Sequence, residues 1–299
     1  MRGPGAMSAV HKSYLVGLIG DGITQSLTPP MHEAEAAAQG LPYIYRPVDL
    51  TVLGRPGEDV GELLRAGRDL GFNAFNITHP CKQTVLQHLD HVSERAQALQ
   101  AVNTVLIRDG KFVGHNTDQT GFSAALAAEL PEVPKGRVVQ LGTGGAGSAV
   151  AYALLDSAVE HLSLLDLDQE RAQERAAALS RYFPDAVIEA VGQEDLASHV
   201  AQANGVVNCT PIGMHHHPGA PINLGLVTAQ HWVADVIYLP VDTPLIRHAR
   251  SLGRPVLDGG AMAVGQAVDA FRLITGREAD RQRMRHHFLS LLAAQQGGR

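Results

Sequence analysis

Apolar residues occur along this chain in short unbroken runs, which alternate with longer stretches whose apolar positions recur at helical spacing. In the first part of the chain this alternation predicts strands and helices in turn. The predicted strands are 14–19, 43–48, 72–77, 101–107 and 111–113, and the predicted helices are 29–39, 57–70 and shorter segments up to residue 99. The dipeptide Asp109-Gly110 predicts a tight turn between the last two strands. Elements in this order predict βαβ units and a mostly parallel sheet.

The second part of the chain begins with a predicted helix at 118–130, which ends at a stretch punctuated by proline and glycine. Further strands are predicted at 137–141, 161–166, 186–191, 205–208 and 232–236, and helices at 145–156, 260–274 and 279–296. Repeated units of this kind are typical of a Rossmann-type nucleotide-binding sheet. We therefore predict a two-domain α/β protein, with an N-terminal α/β domain at 10–117 and a Rossmann-type domain at 118–259.

Length and charge fit this organisation and exclude one class of partner. A chain of 299 residues with 45% hydrophobic content is long enough for two cores of ordinary size. A net charge of −6, with both signs scattered, argues against a nucleic-acid surface, which requires clustered basic residues. We expect small-molecule partners and no nucleic acid.

Targeting signals and metal motifs are not apparent in the sequence. Residues 1–9 lack the apolar segment of a signal peptide, and no apolar stretch is long enough to span a bilayer, so we expect a cytoplasmic protein. Cys81 and Cys209 lack the spacing of a disulfide framework or a zinc ribbon, and we interpret both as packing residues. The run 215–217 of three histidines predicts a solvated loop and no metal site, because consecutive side chains point in different directions.

A glycine-rich loop, Gly142-Thr143-Gly144-Gly145-Ala146-Gly147, follows a predicted buried strand and opens a predicted helix. This context indicates a dinucleotide site, because glycines permit the tight turn and the helix N-terminus favours a pyrophosphate. The alternative is a purely structural turn.

Asp166 lies 19 residues after Gly147, where an acidic residue that binds the adenosine ribose is expected. Its carboxylate could accept hydrogen bonds from both ribose hydroxyls, whereas the 2′-phosphate of NADP would bring like charges together. Asp166 therefore predicts NAD as the cofactor. Arg171, five positions on, could stack on adenine or tolerate a phosphate, which leaves NADP as a secondary possibility. Asp166 could instead cap a helix, although Asp168 is the better candidate for that role.

Two polar clusters, 76–82 and 114–118, are far apart in the sequence and make sense together only if folding unites them. They contain Lys82 and Asp118, and a lysine and an aspartate beside a bound nicotinamide suggest hydride chemistry on an alcohol. Each residue also has a structural interpretation, Lys82 as a solvated lysine at a helix start and Asp118 as a helix N-cap.

These motifs stand in an order that resembles the shikimate and quinate dehydrogenase family over nearly the whole chain. The matching segments are 20–29 (GDGITQSLTP), 76–82 (NITHPCK), 101–104 (AVNT), 116–118 (NTD), the glycine loop, 208–214 (NCTPIGM), 235–238 (DVIY) and 259–266 (GGAMAVGQ). The resemblance implies that the C-terminal helices, within 260–299, complete the first domain. It also implies further cofactor contacts from the later segments, at Thr210, Val236 and Gly259.

The resemblance implies a set of substrate contacts as well. Ser26 and Thr28 would hold the substrate carboxylate, and Thr78, Asn103 and Gln266 would bind ring hydroxyls. Since two prolines follow Thr28, that residue could also be the N-cap of the next helix.

The resemblance gives the two charged residues catalytic roles. Lys82 would accept the hydroxyl proton, and Asp118 would orient the hydroxyl and the lysine. Burial favours a neutral lysine and the carboxylate favours an ammonium, so we expect a coupled pair. His79 and His115 flank the site and could tune its charge, although a structural role is the default for both.

At two positions the chain departs from the pattern that is common in biosynthetic members of the family. At both positions its residues resemble those of the NAD-dependent quinate/shikimate branch, which is associated with catabolism. The carboxylate pair reads Ser-x-Thr, and Asp166 replaces the Asn-Arg-Thr type of sequence that is usual for NADP. The expected activity is oxidation of quinate and shikimate to 3-dehydroquinate and 3-dehydroshikimate with NAD, by a monomer or homodimer. The alternatives are an NADP-dependent biosynthetic shikimate dehydrogenase, an aminoshikimate dehydrogenase and a catalytically silent regulator that senses quinate or shikimate.

Overall fold

A computed structural model of the chain describes residues 13–297, with side chains described as far as residue 294. The expectation for residues 1–9, and the first three residues of the predicted domain at 10–117, lie outside this range. None of the described helices is both long enough and apolar enough to cross a membrane.

The described chain forms two compact units. The first contains the residues up to Ser93, Val102–His115 and the residues from Ala267 on, and the second contains Glu94–Ala101 and Asn116–Gln266. This division differs from the predicted domains in three places, at 94–101, 116–117 and 260–266. The segment 94–101 belongs to the second unit because Leu99 and Ala101 pack on Ala149, and Arg175 donates a hydrogen bond to the Leu99 carbonyl.

The first unit is built on a six-stranded sheet in the order β2-β1-β3-β5-β6-β4. Its strands are β1 (Tyr14–Gly20), β2 (Tyr43–Asp49), β3 (Ala74–Ile77), β4 (His91–Val92), β5 (Thr104–Arg108) and β6 (Lys111–His115). The pairs β1–β2, β1–β3 and β4–β6 are parallel, and β3–β5 and β5–β6 are antiparallel. The β5–β6 turn has positive φ at Asp109 (51°) and Gly110 (75°), as expected of a two-residue hairpin turn.

The helices that begin and end the first unit pack against each other. The chain from β1 to β6 contains α1 (Thr28–Ala38), α2 (Leu50–Leu53), α3 (Val60–Asp69), α4 (Cys81–Thr84) and α5 (Glu94–Leu99), of which α5 belongs to the second unit. Near the C-terminus, α12 (Arg281–Gly297) packs on α1, where Arg283 donates two hydrogen bonds of 2.7 Å to the buried carboxylate of Glu35. The C-terminal helix therefore returns to the first unit.

The second unit contains a six-stranded, fully parallel sheet in the order β9-β8-β7-β10-β11-β12. Its strands are β7 (Arg137–Leu141), β8 (His161–Leu165), β9 (Val187–Ala190), β10 (Gly205–Asn208), β11 (Trp232–Asp235) and β12 (Val256–Leu257). Numbered from β7, this is the order 3-2-1-4-5-6 of a Rossmann fold. The predicted fold class, α/β with a Rossmann-type domain, is confirmed.

Helices cover the apolar faces of this sheet. They are α6 (Asp118–Glu129), α7 (Gly145–Asp156), α8 (Gln169–Ser180), α9 (Leu196–Gln202), α10 (Pro244–Ser251) and α11 (Gly259–Thr275), of which the part of α11 from Ala267 on belongs to the first unit. One buried cluster joins α6 and α7 to the sheet, with Phe122, Leu126, Leu154 and Trp232 among its members. Because the strands end at one edge of a parallel sheet, the loops that follow β7, β8, β10 and β11 lie along that edge.

Candidate active site

The glycine loop joins β7 to α7 as predicted, and a buried side chain of β7 holds it. Gln140 is fully buried, and its Nε2 donates hydrogen bonds to the carbonyl oxygens of Gly142 (2.9 Å) and Gly147 (2.8 Å). The first and last glycines of the loop are therefore tied to one amide. Sequence reasoning missed Gln140, although a lone polar residue in the run Val-Val-Gln-Leu could have pointed to it.

Two glycines of this loop, Gly142 and Gly147, are required by its geometry. A Cβ atom at Gly147 would lie 2.2 Å from the Gly142 carbonyl oxygen, and Gly142 has a φ of 92°. At Gly144, by contrast, no described atom beyond the adjoining residues lies within 4 Å of where a Cβ would be, so the loop presents open space. Gly145 and Ala146 open α7, and the N–H groups of a first helical turn have no partner within their helix. The loop therefore fits the pyrophosphate of a dinucleotide.

Asp166 follows β8 and ties this strand end to the glycine loop. Its Oδ2 accepts hydrogen bonds from the Thr143 N–H and hydroxyl, both at 2.7 Å, and its Oδ1 accepts one of 2.5 Å from Arg171. Although burial raises the pKa of Asp166, the hydrogen bonds from Arg171 and Thr143 lower it to about 2. The N-cap of α8 is Asp168, whose side chain accepts from the Arg171 N–H, so the capping alternative for Asp166 is wrong.

The ends of β10 and β11 are joined by buried polar side chains. Asn208 Nδ2 donates to Asp235 Oδ1 (3.1 Å), and Asn208 Oδ1 accepts from the Thr210 N–H and hydroxyl. Asp235 also accepts from the Ile237 N–H and from the hydroxyl of Thr243, which caps α10. Burial raises the pKa of Asp235 to about 6, against these hydrogen bonds, which lower it. The network fixes the loop that carries Thr210.

Gly259 is set against the backbone that follows β11. A Cβ atom there would lie 2.4 Å from the Ile237 carbonyl and 2.5 Å from the Val236 oxygen. Only glycine permits this approach. The predicted cofactor residues Val236 and Gly259 are therefore neighbours in the second unit.

In the first unit, Ser26 and Thr28 lie at the start of α1, and both are partly exposed. Ser26 Oγ accepts a hydrogen bond from the Thr28 N–H at 3.3 Å. The N-cap position of α1 is Leu27, without a side-chain hydrogen bond, so the alternative that Thr28 caps the helix is wrong. The two hydroxyls stand at the N-terminus of an 11-residue helix, where an anion is favoured.

The segment that carries Lys82 is anchored to neighbouring strands of the first unit. The Thr78 N–H donates to the Ile19 carbonyl, and the Lys82 carbonyl accepts from the Val102 N–H at 2.8 Å. Asn103, which is buried, directly follows Val102. Three predicted site residues, Thr78, Lys82 and Asn103, are thus attached to the same part of this sheet.

Asp118 begins α6 and is only 6% exposed. The N-cap position of α6 is Thr117, so the alternative that Asp118 caps the helix is wrong. The N–H groups of Asp118 (3.1 Å) and Gln119 (3.3 Å) donate to Asn116 Oδ1. One turn later, a Cβ atom at Gly121 would lie 2.5 Å from the backbone nitrogen of Gln266. This close approach of α6 to α11 places Asp118 and Gln266 in the same part of the second unit.

The remaining candidates from the sequence are two cysteines and the histidines near the site or in the run at 215–217. Cys81 is buried, and burial raises the pKa of its thiol to about 11, as expected of a packing residue. Burial also raises the pKa of Cys209 and lowers that of His115, whereas His79 is exposed. The histidines at 215–217 are exposed, and among the described residues no cluster of His, Cys, Asp or Glu could hold a metal ion.

Known proteins resemble this chain over most of its length. Residues 18–105 match the family model described as the shikimate dehydrogenase substrate binding domain. The chain is 60% identical to a shikimate dehydrogenase (NADP(+)) of Pseudarthrobacter chlorophenolicus, over 97% of this chain and 99% of that protein. It is 50% identical to a quinate/shikimate dehydrogenase (NAD(+)) of Corynebacterium efficiens, over 94% of this chain and 99% of the relative.

A solved structure matches the fold over both units. The quinate dehydrogenase of Corynebacterium glutamicum, in complex with NAD, is 48% identical, covers 93% of this chain and 99% of its own, and has a TM-score of 0.88. The predicted resemblance is confirmed, and the chain belongs to the shikimate/quinate dehydrogenase family.

Proposed function

We propose that this protein catalyses the reversible, NAD-dependent oxidation of quinate and shikimate at the C3 secondary alcohol. The observation that carries the choice of NAD is Asp166, a carboxylate at the end of β8 whose pKa of about 2 keeps it charged at neutral pH. A negative charge at this position accepts the hydrogen bonds of ribose hydroxyls and repels a 2′-phosphate.

The cofactor would be held by the second unit. Its pyrophosphate would lie on the glycine loop at the N-terminus of α7, with Gly144, Gly145 and Ala146 supplying N–H groups. Thr210, Val236 and Gly259 would line the part of the site nearer the nicotinamide. When bound, the oxidised nicotinamide supplies the acceptor for the hydride of the carbinol carbon.

Lys82 and Asp118 would perform the proton chemistry. The Lys82 amine would accept the proton of the reacting hydroxyl, and the Asp118 carboxylate would orient both the hydroxyl and the amine. That Asn116 Oδ1 accepts from the first N–H groups of α6 supports this role, because the buried carboxylate of Asp118 is not needed to cap the helix. The two groups would titrate as a coupled pair, so the proton belongs to the pair.

The first unit would bind the carboxylate end of the substrate. Ser26 and Thr28 would donate hydrogen bonds to the carboxylate at the N-terminus of α1, where the helix dipole adds to the attraction. Thr78, Asn103 and Gln266 would bind the ring hydroxyls. An analogue that lacks one of these hydroxyls would bind more weakly, because it leaves a buried polar partner without a hydrogen bond.

A second candidate is NADP-dependent shikimate dehydrogenase, and a specific observation favours it. The relative from Pseudarthrobacter chlorophenolicus, at 60% identity, carries the NADP-dependent name. Arg171, which is half exposed beside Asp166, is the residue that could receive a 2′-phosphate if the carboxylate were neutralised or displaced.

Initial rates with quinate and with shikimate, each with NAD and with NADP, test the proposal. We expect oxidation of both substrates and a higher kcat/KM with NAD. A higher kcat/KM with NADP would select the second candidate, and no reaction with either substrate would contradict both.

The role of Lys82 has its own test. For Lys82→Ala we expect kcat to fall by roughly 10² to 10⁴, the usual contribution of general acid–base catalysis, with KM for the substrate within tenfold of wild type. Lys111→Ala, which alters an exposed lysine of the β5–β6 hairpin, is the matched control and should leave kcat unchanged. An unchanged kcat in Lys82→Ala would remove this residue from the mechanism.

A further inference from the structure

Four buried polar side chains lie on, or directly beside, three strands of the first unit. Tyr45 is on β2, Asn76 is on β3, Thr104 begins β5, and Asn103 directly precedes it. All four are at most 4% exposed. Buried polar groups are costly unless they are hydrogen-bonded, so the partners of these side chains indicate why they are present.

These side chains form one chain of hydrogen bonds. The Tyr45 hydroxyl donates to Asn76 Oδ1 at 2.5 Å, and Asn76 Nδ2 donates to Thr104 Oγ1 at 2.9 Å. The Thr104 hydroxyl in turn donates to Asn103 Oδ1 at 3.0 Å. Asn76 Nδ2 also lies 3.3 Å from the Asn103 carbonyl oxygen, to which it donates.

The direction of this chain follows from its chemistry. Thr104 Oγ1 has a single proton, and since the oxygen accepts from Asn76 Nδ2, that proton is available for Asn103 Oδ1. The reverse direction would require Asn76 to turn its oxygen to Thr104 and its NH₂ group to Tyr45, which would lose the bond from Nδ2 to the Asn103 carbonyl. Asn103 therefore has its amide oxygen turned to Thr104.

The end of the chain lies beside the lysine segment. Asn103 follows Val102, whose N–H donates to the Lys82 carbonyl at 2.8 Å, and its own N–H donates to the His115 carbonyl. Both the backbone of Asn103 and the orientation of its amide are thus determined by neighbours in the first unit.

We propose that Tyr45, Asn76 and Thr104 are positioning residues that make Asn103 present its NH₂ group, and not its oxygen, to the substrate. This inference rests on the proposed function, in which Asn103 binds a ring hydroxyl. A donor at this position engages the oxygen of that hydroxyl and leaves its proton for an acceptor elsewhere in the site. A misoriented Asn103 would present an acceptor and would compete for that proton.

Two substitutions at Thr104 separate the hydroxyl from the packing. Thr104→Val keeps the shape of the side chain and removes the hydroxyl, so Asn103 loses the donor that fixes its amide. We expect kcat/KM for shikimate to fall by about 10- to 100-fold, because misplacing a substrate-binding group by about 1 Å can cost 100-fold. We expect KM for NAD to stay within twofold of wild type. Thr104→Ser keeps the hydroxyl and should restore most of kcat/KM.

Tyr45→Phe is the second variant, and it carries the test if Thr104→Val does not fold. It removes the first donor of the chain and leaves the bonds between Asn76, Thr104 and Asn103 possible, so we expect a smaller loss of kcat/KM, about threefold to tenfold. Thermal unfolding of each variant shows whether it is folded at the assay temperature.

The outcomes distinguish this inference from the proposed function. Loss of shikimate kcat/KM in Thr104→Val, with rescue by Thr104→Ser and an unchanged KM for NAD, supports it. If wild type is active, and Thr104→Val is folded and has a kcat/KM within threefold of wild type, this inference alone is overturned. Equal losses in Thr104→Val and Thr104→Ser would also overturn it, since the methyl packing would then be responsible. A wild type that oxidises neither substrate overturns the proposed function, and this inference with it.

Discussion

Asp166→Asn should shift the cofactor preference from NAD towards NADP. The substitution preserves shape but replaces one carboxylate oxygen by an NH₂ group. If the remaining oxygen continues to accept from the Thr143 N–H and hydroxyl, the new NH₂ group faces the Arg171 guanidinium, which then loses its acceptor. The change therefore removes a negative charge from the ribose position and releases a positive one.

The magnitude follows from two quantities. Two unit charges about 4 Å apart interact by about 4 kcal/mol at an effective dielectric constant of 20. The Arg171 guanidinium, which is 47% exposed, already offsets part of the repulsion between Asp166 and a 2′-phosphate, so we expect about 2 to 3 kcal/mol. The ratio of kcat/KM for NAD to kcat/KM for NADP should then fall by roughly 30- to 150-fold, at about 1.4 kcal/mol per tenfold.

The assay is the initial rate of shikimate oxidation at saturating shikimate, with NAD or NADP varied. A ratio that changes by less than threefold would refute the assignment of Asp166 to the ribose position. Stability provides a control with a definite sign. The folded-state pKa of about 2 lies below the ordinary value of 3.8, which corresponds to roughly 2 kcal/mol of stabilisation. This stabilisation is present above pH 4 and is lost as the pH falls towards 2, so wild type and Asp166→Asn should approach each other in stability over that range.

Three further predictions concern positions outside the proposed catalytic pair. Gln140→Leu removes both hydrogen bonds to the glycine loop, so we expect KM for NAD to rise at least tenfold and KM for shikimate to stay within twofold of wild type. Equal rises in both KM values would contradict a role of Gln140 in shaping the cofactor loop. Arg283→Met should lower the free energy of unfolding, measured in urea, by about 3 kcal/mol, because it leaves the carboxylate of Glu35 buried without its cation. The control Arg272→Met, at a half-exposed arginine, should change this free energy by about 0.5 kcal/mol or less. Asp235 has a folded-state pKa of about 6, above its ordinary value of 3.8. Wild type should therefore gain stability relative to Asp235→Asn as the pH falls from 7 to 4, by about 3 kcal/mol at most. A difference in unfolding free energy that does not change with pH would contradict the raised pKa.

The elements that were predicted best are those bounded by strong local signals. The strand at 137–141 and the helix at 145–156 have the predicted bounds, because the glycine loop punctuates the chain between them. The two-residue strands β4 and β12 were not predicted, since each exists only through pairing with a strand distant in sequence. The helix α10, with its Thr243 cap, was not predicted either, although Thr243-Pro244 is a local start signal.

In the candidate site, too, features with a local sequence signal could be predicted and features that depend on distant residues could not. The glycine loop and the position of Asp166 could be predicted from spacing. The hydrogen bonds from Gln140 to this loop could not, because the sequence does not reveal the partner of one buried amide in an apolar run. The hydrogen-bond chain from Tyr45 to Asn103 depends on the strand order β2-β1-β3-β5, which local patterns do not encode. Thr28 was a reasonable cap from its position before Pro29, yet the helix begins at Thr28 itself, and Ser26 accepts the N–H of Thr28.

A crystal structure with shikimate and oxidised NAD bound would show whether Lys82 and Asp118 act on the reacting hydroxyl. We predict that Lys82 Nζ and a carboxylate oxygen of Asp118 both lie within hydrogen-bond distance, about 2.6 to 3.2 Å, of the hydroxyl on the carbon that faces the nicotinamide. A ternary complex in which either group is many ångströms from that hydroxyl would contradict the proposed roles of Lys82 and Asp118.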